Sequence, residues 1–216
     1  MKKLILSLIF FVSFISQNSL VSAEGINLDK EKIVLLEQAA DDGNGKAQVA
    51  MAIIYFEQNK PELAEKYLKM AENNKDSEVQ ASLAGTYFEY GNYEKAEKYY
   101  ILASEQGNIS AQNDLGVFYE EQERYDLAEK YYKSAAEQGS AIALNNLGYL
   151  YFKQGKYKLA EKNFKLASDK GHSTAQLNLG SFYYALGEHD LAKKYYQMAL
   201  DNGNEKAREF LKELEN

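Results

Sequence analysis

Apolar residues return along the chain at three- and four-residue steps, and the whole pattern recurs every 32 residues. Between 139 and 170, Ala143, Leu147, Leu150 and Tyr151 mark one helical stripe, and Leu159, Ala160, Phe164 and Ala167 mark a second. Gly155 separates the two predicted helices, and Gly171 ends the repeat where a helix terminus favours positive φ. Five full repeats follow one another, at 43–74, 75–106, 107–138, 139–170 and 171–202. Residues 24–42 repeat only the second half and predict an amino-terminal capping helix; 203–216 repeat only the first half and predict a carboxyl-terminal one. Two short amphipathic helices cannot bury both apolar stripes alone. Stacking successive pairs buries them continuously, so the pattern predicts an all-α solenoid of helix-turn-helix repeats.

The recurring residues have packing reasons. Met51, Leu83, Leu115, Leu147 and Leu179 are expected to fill the space between paired helices. The next position is Ala52, Ala84, Gly116, Gly148 or Gly180, small enough for close approach of the second helix, with Ala64, Ala96, Ala128, Ala160 and Ala192 as the expected partners. Ala71, Ala103, Ala135, Ala167 and Ala199 are expected at the contact with the following repeat. The first repeat departs from the others. Pro61 stands where later repeats have an aromatic, and Lys75 where they have Gly, leaving Asn73 and Asn74 to supply a positive-φ residue.

The order of small, aromatic and alanine positions resembles the tetratricopeptide repeat, followed closely by LGYLYFKQGKYKLAEKNFKLA at 147–167. The junction SAAEQGSAIALNNLG at 134–148 is similar to that of the Sel1-like repeat. The resemblance spans about residues 29–216 and implies a right-handed α-α superhelix. It also implies that the first helix of each repeat lines a concave face, and that the protein is a scaffold rather than an enzyme.

Composition narrows this picture. The formal charge of −7, with Lys and Glu interspersed, offers no footprint for phosphate backbones and argues against nucleic-acid partners. The chain has no Cys, which removes disulfides, thiol catalysis and zinc–thiolate sites. Residues 1–23 have the three parts of a secretory signal peptide: Lys2 and Lys3, an apolar run at 4–15, and Val21-Ser22-Ala23 before the expected cleavage. The apolar run is shorter than the ~20 residues that span a bilayer. Cleavage after Ala23 predicts a periplasmic or secreted protein, without stable membrane insertion.

Binding residues are sought where the copies differ. The off-core positions of the first helices carry Asn113, Asp114, Asn145, Asn146 and Asn178, then Glu120, Tyr149, Phe152 and Tyr184 one turn on. Equivalent positions earlier in the chain are Val49, Ile53, Phe56, Ala81, Ser82 and Phe88. A row of amides can grip the backbone of a peptide, since each donates and accepts; it can equally bond neighbouring helices to one another. The predicted partner is a protein or peptide, with no cofactor and no metal. His172 and His189 lie in turns without carboxylates at ligand spacing. The pairs Glu65-Lys66, Glu97-Lys98, Glu129-Lys130 and Glu161-Lys162 read as a solvated outer face, with Glu94–Lys98 and Asp126–Lys130 as ion pairs at i,i+4 spacing. Asn108-Ile109-Ser110 matches a glycosylation acceptor, and the 18 Tyr raise the alternative of carbohydrate stacking. The family resemblance also leaves two rivals to a scaffold that binds a partner: a cell-wall-directed enzyme of penicillin-binding or β-lactamase-like type, and a purely structural spacer.

Overall fold

The computed structural model describes residues 30–215; the candidate leader at 1–23 lies outside them. Twelve α-helices and no strand are found among the described residues. After α1 (Lys30–Asp41), helices alternate at a step of 32 residues for each kind. The first helices are α2 (Gly45–Glu57), α4 (Ser77–Glu89), α6 (Ile109–Glu121), α8 (Ala141–Lys153) and α10 (Ser173–Ala185). Their partners are α3 (Pro61–Ala71), α5 (Tyr93–Glu105), α7 (Tyr125–Glu137), α9 (Tyr157–Asp169) and α11 (His189–Asp201), before α12 (Ala207–Glu215). The chain forms two compact bodies, one ending at Ala111 and the other starting at Gln112. In the amino-terminal body α2 packs on α1, α3 and α4, and α4 packs on α5. In the carboxyl-terminal body α8 packs on α7 and α9, and α10 packs on α9 and α11, with α12 against α11. This is an all-α repeat fold.

Local chemistry sets the helix limits. Asn44, Asp76, Ser140 and His172 accept a backbone N–H from the first turn of α2, α4, α8 and α10. Asn108 does the same for Ala111 N in α6. These five caps also recur at 32. Pro61 occupies the first turn of α3, where a missing N–H is harmless. The junction glycines Gly43, Gly107, Gly139, Gly171 and Gly203 take φ between +78° and +93°. The exit from α3 differs from expectation. Asn73 and Asn74 do not take positive φ; α3 stops early at Ala71, and Asn74 Oδ1 accepts Asp76 N at 2.9 Å instead. In the inner turns, left-handed geometry falls on Gly91, Gly155 and Gly187, but also on Asn59 and Glu123.

The residues expected between paired helices are buried, including Leu83, Leu115 and Leu179, and so is every Ala from Ala64 to Ala199 named at a helix contact. The small position behaves differently from the expected pairing. A Cβ at Gly116 would stand 2.5 Å from the Tyr132 ring, at Gly148 2.7 Å from Phe164, and at Gly180 2.5 Å from Tyr196. The bare backbone therefore accommodates the aromatic ring sixteen residues on, rather than an alanine. The first repeat, with Ala52, has Leu68 at the ring position, and both are fully buried. Leu159, placed on the apolar stripe of α9, is 43% exposed. Val49 and Ile53 are buried core residues rather than groove positions.

The close contact predicts a coupling. Gly148→Ala should lose about 1 kcal/mol, because overpacking of ~1–3 kcal/mol outweighs a helix-propensity gain of ~1 kcal/mol. Adding Phe164→Leu, which reproduces the Ala52/Leu68 combination, should cost less in the Gly148→Ala variant than in wild type. Urea denaturation of the four proteins in the cycle measures the coupling, and additive losses would refute the contact.

Candidate functional site

All nine candidate residues lie in the carboxyl-terminal body, on α6, α8 and α10. Their side chains sort into two groups. The amides form a continuous chain of hydrogen bonds. Asn178 Nδ2 donates to Asn145 Oδ1 at 2.9 Å, and Asn145 Nδ2 donates to Asn146 Oδ1 at 3.4 Å. Asn146 Nδ2 then donates to Asn113 Oδ1 at 3.0 Å, and Asn113 Nδ2 to Asp114 Oδ1 at 3.2 Å. Every step points its N–H toward the carboxylate. Asn145 is only 7% exposed, and the others are half-buried. Burial raises the Asp114 carboxyl above its ordinary range, partly opposed by the Asn113 N–H. Asn145, Asn146 and Asn113 thus each spend one N–H and one lone pair on this chain, and Asn178 one N–H. The amide chain ties three successive first helices together.

The second group faces outward. Tyr149, Phe152 and Tyr184 are 49%, 40% and 45% exposed. Phe152 also packs against the rings of Tyr157 and Phe182 at centroid distances of 5.6 and 6.4 Å, so part of its surface belongs to the core. Tyr184 meets His189 edge-on at 5.5 Å. Beside Tyr149 lies a shallow groove of about 300 Å³, lined by Val117, Glu120, Glu121, Tyr132, Asn146, Tyr149 and Lys153. Glu120 accepts from the Tyr132 hydroxyl at 2.9 Å and from Lys153 Nζ at 3.1 Å. Burial first, and then the Glu120 charge, raise the Tyr132 phenol; the hydrogen bond that Lys153 donates to Glu120 raises Lys153. Tyr132, Lys153 and Val117 are absent from the site expected from sequence. The Tyr132 position reads as core, and its ring is buried; only its hydroxyl reaches Glu120.

In the amino-terminal body Phe56 stacks on Tyr90 at 3.7 Å, and Phe88 meets Tyr93 at 5.7 Å. Other polar features have structural duties. Buried Gln48, Gln80 and Gln176 donate to the carbonyls of Ala40, Asn74 and Ser168. Gln80, Gln112 and Gln176 accept from Gln106, Gln138 and Asn202, each 26 residues on, at 2.7, 2.7 and 2.9 Å. The recurrence of Gln at 48, 80, 112 and 176 was the available signal for this clasp. The Glu-Lys pairs are more than a solvated face. Glu129 and Glu161 accept the hydroxyls of Tyr151 and Tyr183, 22 residues on, at 2.9 and 2.6 Å. The ion pairs there are Lys133–Glu129 and Lys165–Glu161. Lys165, then Tyr183, hold the Glu161 carboxyl below its ordinary range. Lys98 and Lys130 lie over the rings of Tyr99 and Tyr131. Asn108 of the candidate glycosylation acceptor is a half-buried helix cap.

With the geometry established, comparison with known proteins identifies the repeats. Family models for the tetratricopeptide repeat match residues 108–169 and 145–207, and the Sel1 repeat model matches 77–108. The repeats are of the tetratricopeptide and Sel1 type. No curated protein sequence matches the chain. Among solved structures, a Sel1 repeat protein from Oxalobacter formigenes is 25% identical with a TM-score of 0.62, over 96% of this chain and 65% of its own. The protective antigen c5321 of uropathogenic Escherichia coli, which displays an SLR fold, is 23% identical with a TM-score of 0.65, over 95% of this chain and 48% of its own. The human IFIT1 dimer with PPP-AAAA is 21% identical with a TM-score of 0.68, over 97% and 53%. The chain therefore spans half to two thirds of the length of these relatives, and the last two likenesses concern the fold alone.

His172 gives this Sel1-type array a pH dependence. Its Nδ1 accepts Ala175 N at 3.1 Å, so the cap needs a neutral ring, and burial lowers its pKa below the ordinary 6.5. A folded pKa below the unfolded one leaves stability complete above pH 6.5 and diminishes it as pH falls through the folded value. His172→Asn, the cap residue found at Asn44 and Asn108, should flatten the melting temperature between pH 7 and 5. An unchanged slope would remove His172 as its source.

Proposed function

We propose that this protein is an exported, non-enzymatic scaffold that binds a protein or peptide partner on the exposed side of α6, α8 and α10. Repeats of this type supply a surface on which variable residues are displayed from an invariant frame. The observation that carries the reading is the exposure of Tyr149, Phe152 and Tyr184 beside the groove at Glu120, Asn146 and Lys153. Aromatic residues of this kind are the usual anchors of protein interfaces. The amide chain holds the three display helices in register, while the exposed rings and the groove meet the partner.

Export rests on residues 1–23, with cleavage after Ala23 and a periplasmic or secreted destination. No helix among the described residues is long and apolar enough to cross a membrane. Nucleic acid is not the partner we propose, because a formal charge of −7 repels a phosphate backbone.

Cross-linking of the tagged full chain in its own cell tests the reading. Wild type should capture a specific protein, and Tyr149→Ala/Tyr184→Ala should reduce that capture at least roughly tenfold, the effect of losing anchors of this class. Circular dichroism should show both proteins equally helical. Equal capture by the folded variant would rule out this face, and no specific capture by wild type would favour a spacer.

A further inference from the structure

Lys153 lies within a small cage of its own molecule. Its Nζ is 3.1 Å from Glu120 Oε1, 5.8 Å from the centroid of the Tyr149 ring and 5.7 Å from that of Tyr125. Glu120 also accepts the Tyr132 hydroxyl, which fixes the carboxylate in place without neutralising it. Two phenol rings and an oriented carboxylate are the elements that hold an ammonium or guanidinium group. The cage opens into the groove that Glu121 and Asn146 also line. Two carboxylates and one ammonium face that space, so its balance is one negative charge.

The Lys153 side chain is 42% exposed. An ion pair so exposed contributes little net stability, so the cation there is held weakly and exchanges readily. A planar guanidinium uses the same parts better than Lys153 does, because it bonds a carboxylate through two N–H groups and stacks flat on a ring. Resting on the proposed partner-binding face, we infer that the groove receives a basic side chain of the partner, foremost an arginine, and that Lys153 occupies the same cage as an internal competitor until the partner displaces it. The partner is then a protein or peptide with a basic segment. Glu120 accepts its guanidinium, Tyr149 and Tyr125 supply ring faces, and Glu121 adds long-range attraction.

The competitor predicts an inverse effect of removing a charge. Labelled heptapeptides Ala-Ala-Xaa-Ala-Xaa-Ala-Ala, with Xaa as Arg or Glu, are titrated by fluorescence polarisation at low salt into wild type, Lys153→Met, and Lys153→Met with Glu120→Gln. The Arg peptide should bind Lys153→Met roughly threefold or more tightly than wild type, in the range of one cation–π contact, and Glu120→Gln should abolish the gain. An Arg peptide that binds Lys153→Met no better than wild type overturns the inference. If the Glu peptide instead binds wild type and loses affinity in Lys153→Met, the groove is a site for an acidic partner, and the binding face stands without the competitor. If neither peptide binds any of the three proteins, the groove fails together with the inference.

Discussion

A ring pressed onto bare backbone sets the geometry of the carboxyl-terminal body. Tyr132, Phe164 and Tyr196 lie where a methyl group on Gly116, Gly148 or Gly180 would stand. Each contact seats a ring of the second helix of a repeat directly on the backbone of the first, with Leu115, Leu147 and Leu179 buried alongside. Other contacts share the same 32-residue spacing of the helices. The Tyr151 and Tyr183 hydroxyls reach Glu129 and Glu161 of the preceding helix, and Gln112 and Gln176 meet Gln138 and Asn202, because the helices return at a fixed distance.

Polar groups then lock a register that apolar packing alone would leave loose. A buried amide without a partner costs ~1–3 kcal/mol, so Gln176 and Asn145 penalise any slip of one helix past another. The chain from Asn178 to Asp114 has the same effect across three first helices. The proposed binding is left to residues outside this framework. Tyr149, Tyr184 and the Glu120–Lys153 cage sit on rigid helices whose positions are already decided. That separation lets one array keep its fold while its display face changes.

The fold was legible because a 32-residue period imposes the same physical demand five times over, and small, apolar and turn residues each leave a visible mark. What stayed hidden were relations between positions. Gly148 announces a close approach but not that a ring sixteen residues on causes it. Asn73 and Asn74 are residues that tolerate positive φ, yet an early helix stop and a side-chain turn served in its place. The amide row was visible as residues, whereas its internal bonding depends on rotamers that composition does not specify. Glu129 and Glu161 read as surface charges because their tyrosine partners lie 22 residues away on another helix. Lys153 escaped notice for a similar reason: its cage comes from α6, α7 and α8 together.

The central claim is that each 32-residue repeat couples only to its neighbours through these contacts. Deleting residues 139–170 removes one period and rejoins equivalent positions, and deleting 139–154 removes half of one. Thermal melts followed by circular dichroism should show the first variant helical and cooperative, with a lower melting temperature than the full chain. The second should lose cooperative unfolding. A 32-residue deletion that aggregates or loses its helicity, or a 16-residue deletion that melts as cooperatively as the longer one, would contradict the account.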